Sequence, residues 1–206
     1  MQRNSQLKII DIGSGSGANI YYMGRRYPNS QFIGIDINSS LLASGNKFFQ
    51  DNGIENCQLI QGDIYNLSDK YVSANDAIVS FQTLSWLPDF KKPIASLSKL
   101  KAKWIALSSL FYNGPLSCTI EVQDYDVDLN PCKESFYNVY SLPVVRDYLL
   151  KNGYPKFQYT PFKIDIDLPR PSEKGRGTFT EKLKNGNRLQ ISGPLLMPWY
   201  FIAAEA

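Results

Sequence analysis

The chain has 206 residues, 43% of them hydrophobic and 20% charged, with a formal net charge of +3. That is enough chain for one globular domain with a sizeable core, and the balance excludes a disordered or fibrous protein. The longest basic runs, Lys91-Lys92 and Arg25-Arg26, are too short for a nucleic-acid face, and no apolar run nears the ~18 residues of a membrane span.

Taken in chain order, Leu7 to Ile12 reads as a continuously apolar strand of the kind buried on both faces of a parallel sheet. It ends at Asp11-Ile12 and passes into Gly13-Ser14-Gly15-Ser16-Gly17, three glycines in alternation, where the backbone must turn tightly and let a ligand approach. A helix is expected from Gly17 or Ala18 to Pro28, its first N–H groups directed at an anionic group. Gln31 to Ile37 is a second strand, so the three elements form a right-handed βαβ unit. Asp36 closes that strand 21 residues beyond Gly15, where a carboxylate can accept both hydroxyls of a ribose. Ser39 or Ser40 offers the N-cap of the next helix, which runs to Asn52 and stops at Gly53.

A third strand, Cys57 to Ile60, leads into Gln61-Gly62-Asp63-Ile64, where a carboxylate can bond an exocyclic amine while an apolar side chain covers the base. The fourth strand, Asp76 to Phe81, is followed by Gln82; a helical stretch opens at Pro88, and Trp104 to Phe111 is a fifth strand. These features resemble the class I S-adenosylmethionine-dependent methyltransferases, through Asp11 to Gly17, Gly34-Ile-Asp36, Gln61 to Ile64 and Asn75 to Phe81. The resemblance implies S-adenosylmethionine as cofactor. Gly13, Ser14, Gly15 and Gly17 would hold its methionine end with Asp11 near the ammonium. Asp36 and Ile37 would lie at the ribose, Asp63 and Ile64 at the adenine, and Phe81 and Gln82 beside the sulfonium. It also implies a three-layer α/β, Rossmann-like sandwich: a mostly parallel seven-stranded sheet in the order 3-2-1-4-5-7-6 with a late antiparallel strand, plus a C-terminal hairpin insertion.

The glycine spacing also satisfies the Gly-x-Gly-x-x-Gly/Ala pattern of nicotinamide enzymes, so an NAD-dependent oxidoreductase is the alternative. Asp11, Asp63 and the absence of a Tyr-x-x-x-Lys or histidine constellation count against it. A non-catalytic methyltransferase-like binding protein is a further alternative.

From Tyr112 to Tyr140 the chain interleaves carboxylates with aromatic rings, and Tyr125, Asp126, Tyr137 and Tyr140 are the candidates for the catalytic, acceptor-facing side; a solvated acidic loop is the plain reading. A helix from Ser141 to Asn152, a sixth strand over Lys156 to Leu168, a loop over 169 to 177, a hairpin around Lys184-Asn-Gly-Asn187 and a last strand from Trp199 to Ala204 complete the chain. The whole, 1–206, is expected to be one methyltransferase domain, with 1–111 the cofactor half and 112–206 the acceptor half. The first strand begins near residue 7, and the helices that by the resemblance often cover such a site are absent from this sequence, so either the chain is truncated or its cover comes from elsewhere.

Cys57, Cys118 and Cys132 are odd in number and form no Cys-x-x-Cys pair, which fits reduced thiols. With no histidine, the commonest zinc ligand and catalytic base are absent, and no metal is expected. The N-terminus has no signal-peptide core, so a cytoplasmic location is expected. No Asn/Asp-Pro-Pro-Tyr or Pro-Cys follows the fourth strand, which leaves a small-molecule or sugar-type acceptor rather than nucleic acid, with the attacking atom O, N or C.

Overall fold

The computed structural model describes residues 6–172 and 177–206; four residues of the expected 169–177 loop lie outside them. The first half runs β1 (Lys8–Ile12), α1 (Ala18–Arg26), β2 (Gln31–Asp36), α2 (Ser39–Asp51), β3 (Cys57–Gln61), β4 (Ala77–Phe81), α3 (Lys91–Lys99) and β5 (Trp104–Tyr112). The second half adds β6 (Glu121–Tyr125), β7 (Pro131–Phe136), β8 (Tyr140–Ser141), α4 (Leu142–Lys151), β9 (Lys156–Pro161), β10 (Thr178–Lys182), β11 (Arg188–Ser192), β12 (Leu195–Leu196) and β13 (Trp199–Glu205).

The central sheet has the order β3-β2-β1-β4-β5-β13-β9, which is the expected order once the seven sheet-spanning strands are counted in sequence. The pairs among β1 to β5 are parallel, and β13 runs antiparallel to both neighbours. Parallel neighbours need crossovers, and the helices that make them cover both faces. Because side chains alternate along a strand, Ile9 joins Ile20, Phe32 and Phe49 under α1 and α2, whereas Ile10 joins Ile94, Leu97 and Leu149 under α3 and α4. This is the three-layer Rossmann-like sandwich implied by the resemblance.

Local chemistry sets the helix ends. Asn38, rather than Ser39 or Ser40, caps α2: its side chain accepts from the N–H groups of Ser40 (3.1 Å) and Leu41 (3.2 Å). The chain leaves β2 one residue earlier than the serine cap requires, because Asp36 folds its carboxylate onto the Asn38 N–H at 2.9 Å. Ser141 caps α4, and Asp89 accepts from Lys91 (2.7 Å) and Lys92 (3.0 Å) at the start of α3.

Two segments differ from expectation. The acidic stretch after β5 is a hairpin, β6–β7, with a register shift at Asp124/Tyr125. Ile120 and Val122 anchor it on a buried cluster of Leu110, Tyr137, Met197 and Trp199, a two-residue apolar alternation that the intervening carboxylates conceal in the sequence. The sixth strand ends at Pro161 instead of Leu168, since its partner β13 extends only as far as Trp199. Beyond it, Leu168 leaves the sheet and bonds Thr180 of β10, its N–H reaching the hydroxyl at 2.8 Å.

A glycine fixes how closely α2 approaches the first loop. A Cβ at Gly45 would overlap the Ser16 carbonyl oxygen and a Leu59 methyl group. Alanine is the better helix former by ~1 kcal/mol. Gly45→Ala is nevertheless expected to destabilise by ~1–3 kcal/mol through overpacking. Urea midpoints would check this, and a raised midpoint would contradict the close approach.

Candidate active site

β1, β2, β3 and β4 end at one edge of the sheet, and the segments leaving them line a cleft of about 370 Å³. The first wall is the glycine loop. Gly13, Gly15 and Gly17 all take positive φ, at 76°, 55° and 85°. At Gly13 a side chain would also collide with Thr83, so only glycine lets the loop lie against the exit of β4. The loop is bonded to β2: the N–H groups of Gly13 and Ser14 both donate to the Ile35 carbonyl, at 2.8 and 3.2 Å.

Behind this loop lies Asp11, with no exposed surface. Neither of its carboxylate oxygens has a hydrogen-bond partner among the described residues, and the buried Ser14 hydroxyl has none either. Burial pushes the Asp11 carboxyl up to about 7; the nearby Asn19 amide opposes the rise and the charge of Asp36 adds to it. A buried carboxylate without donors is costly, and a cation docking at the loop removes that cost.

Asp36 presents the opposite situation, a carboxylate held in place. Its Oδ2 accepts the Gly15 N–H at 2.8 Å and its Oδ1 the Asn38 N–H at 2.9 Å. A carboxylate offers about four acceptor positions, so two remain for a diol in the cleft. On the third wall, Asp63 accepts the Tyr65 N–H at 2.9 Å through Oδ1, which leaves Oδ2 available beside Ile64. The donor set therefore fits a ligand with a cationic group at the loop, a diol at Asp36 and an amine at Asp63. An apolar border is formed by Ile37, which is 68% exposed, and Ile64.

Of the residues singled out in the sequence, Gly13, Asp36, Ile37, Asp63 and Ile64 line the cleft, while Asp11, Ser14, Gly15 and Gly17 form or support its loop. Phe81 and Gln82 are not on the lining. The Phe81 ring meets Phe201 edge to face at 6.0 Å, and Gln82 turns at φ 59° with its N–H on the Ser108 carbonyl. Their place is taken by Thr83 and Leu87, which flank a turn of 3-10 helix over Leu84–Trp86. Tyr65 was also missed, although it directly follows the Gly62-Asp63-Ile64 signal.

None of Tyr125, Asp126, Tyr137 and Tyr140 lines this cleft. Asp126 closes the tip of the β6–β7 hairpin, accepting from the Asp128 and Asn130 N–H groups, each at 2.9 Å; the Asn130 bond is the main reason its pKa is lowered. Tyr125 is exposed beside it. Tyr140 is buried, its hydroxyl 3.3 Å from the Leu84 carbonyl and 3.1 Å from that of Leu87, and burial pushes its pKa up to about 12. It therefore keeps its proton near neutrality. Asn138 donates to the Leu87 carbonyl at 2.8 Å, and the Tyr137 ring lies 4.5 Å from Trp86. These residues brace, from behind, the turn that carries Thr83 and Leu87 into the cleft.

Comparison with known proteins bears on this geometry. A family model described as a methyltransferase domain matches residues 3–113. The trans-aconitate 2-methyltransferase of Deinococcus radiodurans is 29% identical over 90 residues, 44% of this chain and 32% of that protein. The malonyl-[acyl-carrier protein] O-methyltransferase of Priestia megaterium is 29% identical over 112 residues, 54% of this chain and 39% of that protein. The matched segment thus spans well under half the length of these curated relatives. Among solved structures, the YcgJ protein of Bacillus subtilis superposes with a TM-score of 0.62 over 98% of this chain and 93% of that one, at 15% identity, a likeness of fold. The ambiguity of the glycine pattern is resolved by the family match together with the paired carboxylates of the cleft: the chain belongs to the class I S-adenosylmethionine-dependent methyltransferases.

Proposed function

We propose that this chain transfers the methyl group of S-adenosylmethionine to a small-molecule acceptor bound beside the cleft. The observation that carries the reading is the cleft's polar set: Asp36 anchored with two acceptor positions open, Asp63 at the next strand end, and Asp11 buried without a partner. When bound, the cofactor supplies an electrophilic methyl group on a sulfonium centre. Asp36 would hold the ribose hydroxyls, and Asp63 with Ile64 the adenine. Asp11, through the Gly13–Gly17 loop, would neutralise the ammonium. Thr83 and Leu87, in place of Phe81 and Gln82, would border the reacting end.

A methyl transfer requires alignment of acceptor and leaving group more than proton transfer, and positioning can contribute ~7–11 kcal/mol to lowering the barrier. The chain suits that demand: Tyr140 holds its proton, and the buried contacts of Asn138, Tyr140 and Tyr137 fix the turn that faces the acceptor. The near-neutral, scattered surface charge supports a small acceptor over nucleic acid.

Asp36→Ala is expected to weaken S-adenosylhomocysteine binding by at least ~1.4 kcal/mol, the loss of a charge-assisted bidentate contact. Calorimetric titration checks it, and tight NADH binding without binding of the homocysteine product would overturn the assignment.

Asp11 yields a pH prediction. Its folded pKa, about 7, lies above the ordinary 3.8, so between these values the folded chain holds a proton that the unfolded chain has lost. Stability from this group therefore falls as pH rises through that window and levels off above it, by roughly 4 kcal/mol at most. Asp11→Asn should be more stable than wild type at pH 8 and gain little at pH 4, as read from urea midpoints. The same substitution should weaken S-adenosylhomocysteine binding at pH 8 and abolish the rise in affinity expected for wild type between pH 5.5 and 8. A flat wild-type affinity profile would remove Asp11 from the ammonium site.

A further inference from the structure

The two edges of the central sheet are finished differently. β3 closes one side, and the outward backbone groups of its middle residue are both occupied: the Leu59 N–H donates to Asn46 Oδ1 at 2.9 Å, and the Leu59 carbonyl accepts the Asn46 amide at 2.8 Å. β9 closes the other side, and no described residue serves its outward backbone in this way. We infer that the edge of β9 pairs with β9 of a second copy of this chain, antiparallel and across a twofold axis, so that one sheet runs through both protomers of a dimer.

Strand alternation shows which groups are available. The Phe162 N–H donates to the Trp199 carbonyl at 2.9 Å, so in this antiparallel ladder Thr160, Gln158 and Lys156 turn their backbone groups to β13. Phe157, Tyr159 and Pro161 turn theirs outward. The far side of β13 agrees: the Phe111 N–H donates to the Pro198 carbonyl, which leaves Phe201, Ala203 and Glu205 directed at β9. Pro155, just before the strand, falls on the same outward row as Pro161. The edge therefore offers the N–H groups of Phe157 and Tyr159, bracketed by residues that have none.

Proteins commonly discourage such pairing with lysines or prolines along an exposed edge. On β9 the prolines stand only at the ends of the row. The one charge of the strand, Lys156, is drawn back onto Glu205 of β13 at 2.8 Å. Nothing on the strand repels a partner from its centre.

The row is complementary to itself, which selects a second copy as the partner. With Gln158 opposite Gln158 of the second copy, Phe157 of each chain faces Tyr159 of the other, and the two residues exchange both of their N–H···O bonds. Pro155 then faces Pro161 of the second copy, so no donor is left opposite a gap. A shift of two residues either way puts a proline opposite one of the rings. In the centred register each ring meets a ring instead. Phe157 and Tyr159 lie 6.1 Å apart on the α4 side of the sheet, with Tyr200 a further 6.2 Å on. Phe157 already packs on the core, whereas Tyr159 is 45% exposed, so cross-strand pairing removes apolar surface that the monomer leaves in water.

The cofactor cleft lies at the exits of β1 to β4, so the pairing leaves it open and does not depend on the function proposed above. One strand from each chain makes a small contact, and the dimer is a reversible one.

Sedimentation equilibrium of the full chain should show dimerisation with a Kd on the order of 10–100 μM. Backbone hydrogen exchange, read residue by residue below and above that concentration, should slow at least about tenfold at Phe157 and Tyr159 on dimerisation, while the Gln158 and Thr160 amides, bonded to β13, are protected in both states. Tyr159→Pro removes an outward N–H that the ladder with β13 does not use; it should stay folded by circular dichroism yet be monomeric about tenfold above the wild-type Kd. Tyr159→Lys keeps the N–H but sets a charge opposite Phe157, and should weaken the dimer at least about tenfold, which carries the test should the proline variant unfold. A wild-type chain that is monomeric throughout that range, exchange at Phe157 and Tyr159 that is independent of concentration, or a wild-type Kd retained by the folded variants would each overturn the inference.

Discussion

The hydrogen bond from the Gly15 N–H to the Asp36 carboxylate, 2.8 Å long, joins the first loop of the chain to the end of its second strand. Together with the two N–H groups donated to the Ile35 carbonyl, it holds the glycine loop against β2 in a conformation with three positive φ angles. Without those bonds a loop so rich in glycine would sample many shapes, and ordering it would be left to the ligand. Here the ordering is done by folding. The same contact orients Asp36, so the carboxylate proposed for the ribose hydroxyls and the loop proposed for the ammonium are positioned as one unit.

That unit stands on an energetic imbalance. Asp11 is fully buried beside it, with the Asn19 amide nearby but no donor within hydrogen-bond distance of either oxygen among the described residues, and its carboxyl is raised to about 7. Natural cores rarely tolerate such a group, and where they do it is commonly at a site whose ligand completes it. The core around it is otherwise conventional: Ile9, Ile10 and Ile12 are each at most 1% exposed, and strands on either side bury apolar side chains on both faces. The imbalance is therefore local, and the surrounding sheet is what makes it tolerable.

The second half of the chain supplies walls and support. β13 inserts between β5 and β9, and this antiparallel strand brings Trp199 under the β6–β7 hairpin. Tyr140, Asn138 and Tyr137 reach from the segment after that hairpin to the turn following β4, so the hairpin and the cofactor cleft share a bonded partition.

The sequence by itself determined the first half. Apolar runs of strand length, glycines in alternation, and carboxylates at strand ends are local signals, and each strand end of a parallel sheet lies at the same edge, so Asp36 and Asp63 had to meet the glycine loop once the crossovers were right-handed. The strand order and the antiparallel last strand came with the family resemblance that these signals support. What only the tertiary structure decided lies in the residues whose surroundings come from afar. Phe81 turned to Phe201, 120 residues on, and so left the cleft to Thr83 and Leu87. Tyr137 and Tyr140 read as acceptor-facing rings among carboxylates, yet their hydroxyls are taken up by Ser192 and by backbone carbonyls 53 to 56 residues earlier. The β6–β7 hairpin read as a solvated loop because the cluster that anchors it, Leu110, Met197 and Trp199, comes from segments distant in sequence. Periodicity and motif spacing report contacts within a few turns or along one strand; which aromatic ring faces a cleft and which fills the core depends on partners brought together only when the sheet closes.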